Sequence, residues 1–386
     1  MEYKLATSTW CKSEIKAIQD VIDTDKFSMG PKVEEYEKKF AKFFGSDYAV
    51  MCSSGSTANL LMVASMFFSK NPKLKSGDEI IVPAVSWSTT YFPLQQYGLN
   101  LKFVDIDLNT LNYNLEDLES AITTQTKAIM VVNLLGNSND FKIIYELIKG
   151  TNITIIEDNC ESMGAKYDGR FCGTFGLMGT FSSFFSHHIA TMEGGMIVTD
   201  DEEYYHILLC LRAHGWTRNL PKNNHISTKS DDWFEESFRF VLPGYNVRPL
   251  EMSGAIGIEQ LKKLPQFINN RRKNADIFIK LFKDDNRFII QKEIGASSWF
   301  GFSLIIKDKS IKRKNIINLL TESKIDSRPI VTGNFTKNEV MKFFKYEIHN
   351  SLFNADALHY NGFFVGNSHE NLDKEIHYLK TVLDRY

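Results

Sequence analysis

The chain of 386 residues carries 45 Lys and Arg against 47 Asp and Glu, and 43% of it is hydrophobic. That balance argues against a general nucleic-acid or membrane-surface binder, and the length and apolar content provide for one large core with a smaller second one. The opening MEYKLATSTWCK lacks an apolar signal-peptide core, no apolar run nears the ~18 residues of a membrane span, and Cys11, Cys52, Cys160, Cys172 and Cys210 form no CxxC pair or finger spacing, so the expectation is a cytoplasmic protein with reduced thiols and no metal centre.

Apolar runs rich in β-branched residues predict strands over Tyr48–Cys52, Glu79–Ala84, Lys102–Asp105, Lys127–Leu134, Ile153–Glu157, Thr180–Phe185 and Met196–Thr199. Several are almost wholly apolar, as strands covered on both faces are. Helical patterns lie between some of them. Ala58–Ser69 is strongly apolar, and Asn114–Ile122 opens on an Asn cap. Alternating strand and helix predicts an α/β fold whose mainly parallel sheet carries helices on both faces. Polar Thr217–Asp232 reads as a surface loop or a flexible lid. Glu251–Leu264 reads as a helix leading to the basic cluster Arg271-Arg272-Lys273, with a strand at Phe300–Ile306 and a helix at Lys312–Ser323 beyond it. The expected division is a large domain over 1–245 and a smaller C-terminal α/β domain over 246–386.

Four segments carry chemistry. Ser53-Ser54-Gly55-Ser56-Thr57-Ala58 lies between a strand and a helix, where free N–H groups and the helix dipole favour an anion, although a plain Ser/Thr cap would use the same residues. Trp87 follows a buried strand near the carboxyl edge of the sheet, in position either to stack on a planar ring or to fill the core. The strand Ile153–Glu157 runs straight into Asp158-Asn159-Cys160-Glu161, and an aspartate there is suited to hold a ring nitrogen protonated, to cap a helix or to ligate a metal, although no histidine lies at a ligand spacing. The fourth runs from the glycine-spaced Gly173-Thr174-Phe175-Gly176 through Phe181-Ser182-Ser183-Phe184 and His187-His188 to Glu193-Gly194-Gly195; its spacing is wrong for a dinucleotide fingerprint.

In this order the segments resemble the DegT-type sugar aminotransferases, within the pyridoxal phosphate (PLP)-dependent aspartate aminotransferase fold. The resemblance implies that Gly55, Ser56, Thr57 and Ser182 bind the cofactor phosphate, that Trp87 stacks on the pyridine ring and that Asp158 pairs with the ring nitrogen. Arg212-Ala213-His214-Gly215 and Gly244-Tyr245-Asn246-Val247-Arg248 resemble two further family segments. In that family the asparagine, here Asn246, reaches the cofactor phosphate of the neighbouring subunit, which implies a homodimer with shared active sites. His214 and Arg248 become candidate substrate contacts.

The chain departs from the family at one decisive point. Six residues before Glu193, where the family has its lysine, stands His187, and no lysine lies between Lys166 and Lys222. An imidazole forms no Schiff base, so the cofactor is not covalently tethered, but it is a good proton shuttle near neutrality. The replacement resembles the dideoxysugar-forming 3-dehydratases of the family. What that implies is a PLP/pyridoxamine phosphate enzyme that removes the C3 hydroxyl of a GDP-linked 4-keto-6-deoxysugar, takes its amino group from L-glutamate and releases ammonia. The scattered cysteines argue against the iron–sulfur centre of the CDP-linked relatives. The catalytic candidates are His187, Asp158 and, ranked below them, His188, since neighbours on a strand point to opposite faces. Glu161 is a cofactor-binding candidate beside the ring hydroxyl or the ketosugar. The rival readings are an aminotransferase that works without lysine and a non-catalytic sugar-nucleotide binder.

Overall fold

The computed structural model describes residues 1–386. Its strands are β1 (Tyr48–Cys52), β2 (Glu79–Pro83), β3 (Asn100–Val104), β4 (Thr126–Val132), β5 (Thr154–Asp158), the short pair β6 (Lys166–Tyr167) and β7 (Arg170–Phe171), β8 (Gly179–Ser182), β9 (Gly195–Thr199), β10 (Phe288–Ile290), β11 (Gly301–Ile306), β12 (Ser327–Arg328), β13 (Tyr346–Ile348) and β14 (Gly362–Gly366). Eight of them form one sheet in the order β1-β9-β8-β5-β4-β2-β3-β13. The sheet is parallel except where β9 runs antiparallel to both β1 and β8.

Two-sided burial explains the continuous apolar runs. Ile80, Val82, Met130 and Ile156 enter one core, while Ile81, Ile129, Val131 and Ile155 enter another on the opposite face. The helix Gly55–Ser65 is buried nearly all round, so it has no polar face to display. Residues 217–232 form a loop, as their polarity predicts.

The expected boundary at 245/246 is crossed in both directions. Tyr3 is fully buried in the C-terminal core and its hydroxyl donates to the Gly366 carbonyl at 2.7 Å. Conversely, β13 joins the edge of the large sheet, and the Asp105 carboxylate accepts the N–H groups of Asn354 and Ala355, both at 2.8 Å, at the start of the helix Phe353–Asn361. The antiparallel sheet β10-β11-β14-β12 forms the rest of the C-terminal part, with the helices Arg313–Glu322 and Asp373–Leu383 packed on it.

The helix read as Glu251–Leu264 continues to Phe282, with Pro265 inside it. Its first half packs on the helix Pro31–Phe44 and its second half supplies Ala275, Phe278 and Phe282 to the C-terminal core. Glu251 ties the crossing, because its carboxylate accepts N–H groups of Gly30 and Lys32, each at 2.6 Å, at the start of the neighbouring helix. Gly254 permits the close approach, since a Cβ there would lie 2.7 Å from the Val33 nitrogen. Gly254→Ala is expected to destabilise the protein by about 1–3 kcal/mol, the usual cost of overpacking, seen as a lower midpoint in chemical denaturation; an unchanged midpoint would show that the two helices separate freely.

Candidate active site

A cavity of about 480 Å³ opens at the carboxyl ends of the sheet strands, where open α/β sheets leave a crevice. Two helices begin at its floor. Ser54 caps the first, accepting the Thr57 N–H at 3.1 Å, while the Thr57 hydroxyl accepts the Ser54 N–H at 2.9 Å. This reciprocal cap absorbs the Thr57 side chain, which lies outside the lining, whereas Ser54, Gly55 and Ser56 face the cavity. A Cβ on Gly55 would come within 2.6 Å of the Ser182 Cβ and 2.9 Å of the Cys160 sulfur, so only glycine lets the helix start approach the end of β8 this closely. The Ser56 hydroxyl pairs at 2.9 Å with Thr89, in the first turn of the helix Ser88–Gln96. Two helix N-termini and Ser182 therefore converge, a surrounding suited to an anion.

Asp158 closes β5 and is buried. Its Oδ2 accepts from Asn59 Nδ2 at 2.8 Å and from the Thr90 hydroxyl at 2.7 Å, and its Oδ1 accepts the Cys160 N–H at 3.2 Å. Asn59 is itself oriented, because its Oδ1 accepts from Thr180 at 2.6 Å. The aspartate has no cationic partner in the chain, so a carboxylate held this way calls for a positive group from a ligand. Trp87 lines the same cavity with 56% of its surface exposed, so it is not core packing.

The strand read as Thr180–Phe185 ends at Ser182. Phe184 and Phe185 are exposed, and the two histidines lie on the turns that follow rather than on a strand. The alternation of strand faces therefore does not apply to them. They nonetheless differ in environment. His187 lines the cavity, its ring edge-on to Phe300 at 5.2 Å, and its Nδ1 has no hydrogen-bond partner. His188 is fully buried and away from the lining, with Nε2 3.1 Å from the Ser298 carbonyl oxygen. Burial, with the nearby Arg271 charge adding to it, lowers His187 to about 4, and the same causes in the same order push His188 well below the usual imidazole range.

Glu161 also lines the cavity, and its Oε2 accepts the Leu135 N–H at 3.1 Å. Burial raises it to about 7, with the Asp158 charge adding a smaller push and the Leu135 bond opposing both. The buried Glu157 points elsewhere. It accepts the N–H groups of Gly173 at 2.6 Å and Gly176 at 2.7 Å and so shapes the glycine-spaced loop.

His214, Asn246 and Arg248 lie together outside this cavity. His214 stacks on Trp216 with ring centroids 4.7 Å apart, and Arg248 lies over the same indole while donating to Asn246 Oδ1 at 3.0 Å. Phe238 and Phe240 meet Trp216 edge-on and are exposed, as are Trp233 and Phe234 a few residues earlier in the chain.

Sequence reasoning passed over Asn59 and Thr90, which orient Asp158, and Arg328, the one Lys or Arg side chain in the lining. A polar Asn59 inside a strongly apolar helix was a legible signal. Arg328 gave none, since it arrives from β12.

The family model for the DegT/DnrJ/EryC1/StrS aminotransferase family matches residues 9–380. The chain is 65% identical over 386 residues to the GDP-4-keto-6-deoxy-D-mannose 3-dehydratase of Escherichia coli O55:H7 (strain CB9615 / EPEC), covering 99% of this chain and 100% of that one. A crystal structure of GDP-4-keto-6-deoxymannose-3-dehydratase with a trapped PLP-glutamate geminal diamine matches with a TM-score of 0.98 and 64% identity over 99% of this chain and 100% of that one. A crystal structure of that enzyme, ColD, in a variant with a serine changed to asparagine and the histidine directly after it to lysine, matches with a TM-score of 0.97 and 64% identity, over 98% of this chain and 100% of that one.

Ionisation of Glu161 is expected to show in stability. Its folded carboxyl binds a proton up to about pH 7 and its unfolded one only to about 4.3, so the folded state holds more protons between these values and stability falls as pH rises through that window. Glu161→Gln is expected to gain stability relative to the parent from about pH 4.5 to 7 and then level off, measured by denaturation at a series of pH values; a constant difference would mean that Glu161 is ionised throughout.

Proposed function

This chain belongs to the DegT/DnrJ/EryC1/StrS aminotransferase family, and on that footing we propose that it is a PLP-dependent GDP-4-keto-6-deoxymannose 3-dehydratase. The ketosugar loses its C3 hydroxyl, L-glutamate becomes 2-oxoglutarate, and the nitrogen leaves as ammonia, so atoms balance without an external reductant. The observation that carries this reading is the cavity lining, which has no lysine and instead presents His187 with a partnerless Nδ1.

The lining fits the cofactor. The Gly55 cradle, which a Cβ would fill, lies with Ser56 and Ser182 at two helix N-termini and suits its phosphate. The buried, cation-free Asp158 suits a protonated ring nitrogen, and Trp87 offers an indole face. Glu161, at the same wall, is in reach of the ring hydroxyl or the ketosugar. When bound, the cofactor supplies an electron sink. The chain's own groups then do the rest. Asp158 keeps the ring-nitrogen proton in place, held by Asn59 and Thr90. His187, neutral at pH 7, takes a proton from the carbon beside the ring and returns one to the departing C3 oxygen. Thr57 acts indirectly, by fixing the cap that aims the helix N-terminus.

His187 is favoured over His188 on two grounds. His188 is sealed against the Ser298 carbonyl. The ColD variant changes a histidine that directly follows a serine, and the only such pair in this cavity is Ser186-His187.

The patch around Asn246, His214 and Arg248 supports a homodimer with shared active sites, in which the exposed aromatics of residues 233–240 and these polar groups reach toward the second subunit's cavity.

The decisive test supplies PLP, L-glutamate and GDP-4-keto-6-deoxymannose, then measures ammonia and the sugar mass. Ammonia with a sugar lighter by one oxygen is expected. A stable aminosugar without ammonia would make the protein an aminotransferase, and no turnover would leave a binder. His187→Asn and Asp158→Asn should each lower kcat by about 10²–10⁴-fold. If His188→Asn did so while His187→Asn did not, the assignment of the two histidines would be reversed. For the dimer, mixing His187→Asn and Asn246→Ala proteins should restore up to about a quarter of the activity, because subunit exchange leaves some heterodimers with one intact shared site; no restoration, with a monomer by light scattering, would refute sharing.

A further inference from the structure

The basic cluster at residues 271–273 contains a group that the reaction outlined above leaves unused. Arg271 is only 3% exposed and pairs with no carboxylate. Its Nη1 donates instead to the backbone carbonyls of Trp299 at 3.3 Å, Phe300 at 3.1 Å and Asn367 at 2.8 Å, and its Nε has no partner. Carbonyl oxygens solvate the charge without cancelling it, so a full positive charge remains inside the protein.

Two of the carbonyls it holds, those of Trp299 and Phe300, belong to a strap, Ser298–Phe300, whose Phe300 lines the cavity. Trp299 sits in the left-handed region at φ 47°, a conformation that costs a bulky residue energy and persists only when its surroundings impose it. The surroundings here are Arg271 and Asn367, whose Nδ2 donates to the same Trp299 carbonyl at 2.8 Å. On its other side the strap meets the active-site residues. The Ser298 carbonyl lies 3.1 Å from His188 Nε2, and the Phe300 ring lies 5.2 Å from the His187 ring and 5.8 Å from that of His188. The Phe300 N–H donates to the Leu135 carbonyl at 3.0 Å, and the Leu135 N–H donates to Glu161.

We propose that Arg271 is a positioning residue for the dehydration: from behind the cavity wall it clamps the Ser298–Phe300 strap against which both imidazoles pack, and it sets an uncompensated charge behind the His187 ring. The inference rests on the assignment of His187 as the proton carrier. The charged and titratable groups around that imidazole are His188 on its own turn, Arg271 from the long helix, Asp158 and Glu161 from β5 and its exit, Glu193 from the loop before β9, and Arg328 from β12. Burial opposes protonation of that ring, and the Arg271 charge adds to it.

The test is a histidine-ring NMR titration of the full-length protein without added cofactor, with the His187 signal assigned by its loss in His187→Asn. The wild-type ring is expected to stay neutral down to about pH 4. Arg271→Met should raise its midpoint part of the way toward the ordinary 6.5, by up to about one pH unit, since burial of the ring remains. Arg271→Lys, which keeps the charge and loses the fork, should leave it clearly below that of the Met variant. In the loaded enzyme the acidic limb of kcat should move with the midpoint. A wild-type ring titrating near 6.5, or a folded Met variant with an unmoved midpoint, overturns the proposal. If Arg271→Met does not fold, the wild-type and Lys midpoints decide it, and a midpoint near 6.5 in both refutes it. Failure of the dehydration assay alone leaves this titration readable, so the two ideas fail separately.

Discussion

A buried carboxylate without a cation is the constraint around which the cavity is arranged. Asp158 stands at the end of β5, and three separate elements are committed to it: the helix Gly55–Ser65 through Asn59, the helix Ser88–Gln96 through Thr90, and its own exit loop through the Cys160 N–H. Leaving any of these donors out would leave a buried carboxylate oxygen short of a partner, at a cost of about 1–3 kcal/mol. The same contacts bring the two helix N-termini side by side, so the anion cradle at Gly55 and Ser56 and the acid at Asp158 are set by one network. Positive and negative ends of a bound ligand are thereby addressed at fixed separation.

Without a lysine, nothing in the cavity can anchor a cofactor covalently. What the lining offers a ligand is non-covalent: two helix N-termini, the Asp158 carboxylate and the exposed face of Trp87. The free position next to the turn is taken by an imidazole whose surroundings, apolar rings and a buried guanidinium, disfavour a charge. That imidazole lines the cavity with its Nδ1 unbonded. The exchange of lysine for histidine thus removes the Schiff-base anchor and leaves an imidazole at the cavity wall.

The wall behind that imidazole is built under strain. Leu135 and Trp299 both adopt positive φ, and they face each other through the Phe300 N–H to Leu135 carbonyl bond. Neither is glycine, so each conformation is held by its neighbours: Leu135 by Glu161, Trp299 by Arg271 and Asn367. The wall joins the large sheet to the C-terminal core, and the largest core itself draws residues from both sides of position 245, Val50 and Phe335 among them.

Much of this was legible in the order of residue types. Continuous apolar runs announced strands covered on both faces, and the sheet has them, because period-two alternation between two apolar cores leaves no polar position in a run. Strand ends were less legible: Phe184 and Phe185 extend an apolar pattern, yet the chain turns after Ser182, where Ser183 and Thr191 pair their hydroxyls at 2.6 Å to close the loop. By itself the sequence determined the alternating α/β architecture, the presence of an aspartate at a strand end and a histidine in place of lysine, since these depend on local pattern and identity. The tertiary structure decided which histidine meets the cavity, that Thr57 is spent on a cap, and that Asn59, Thr90 and Arg271 serve Asp158 and the wall. Those outcomes rest on contacts between residues up to about a hundred positions apart, Asn59 and Asp158 being 99 apart, and on the direction of a turn, neither of which leaves a periodic trace along the chain.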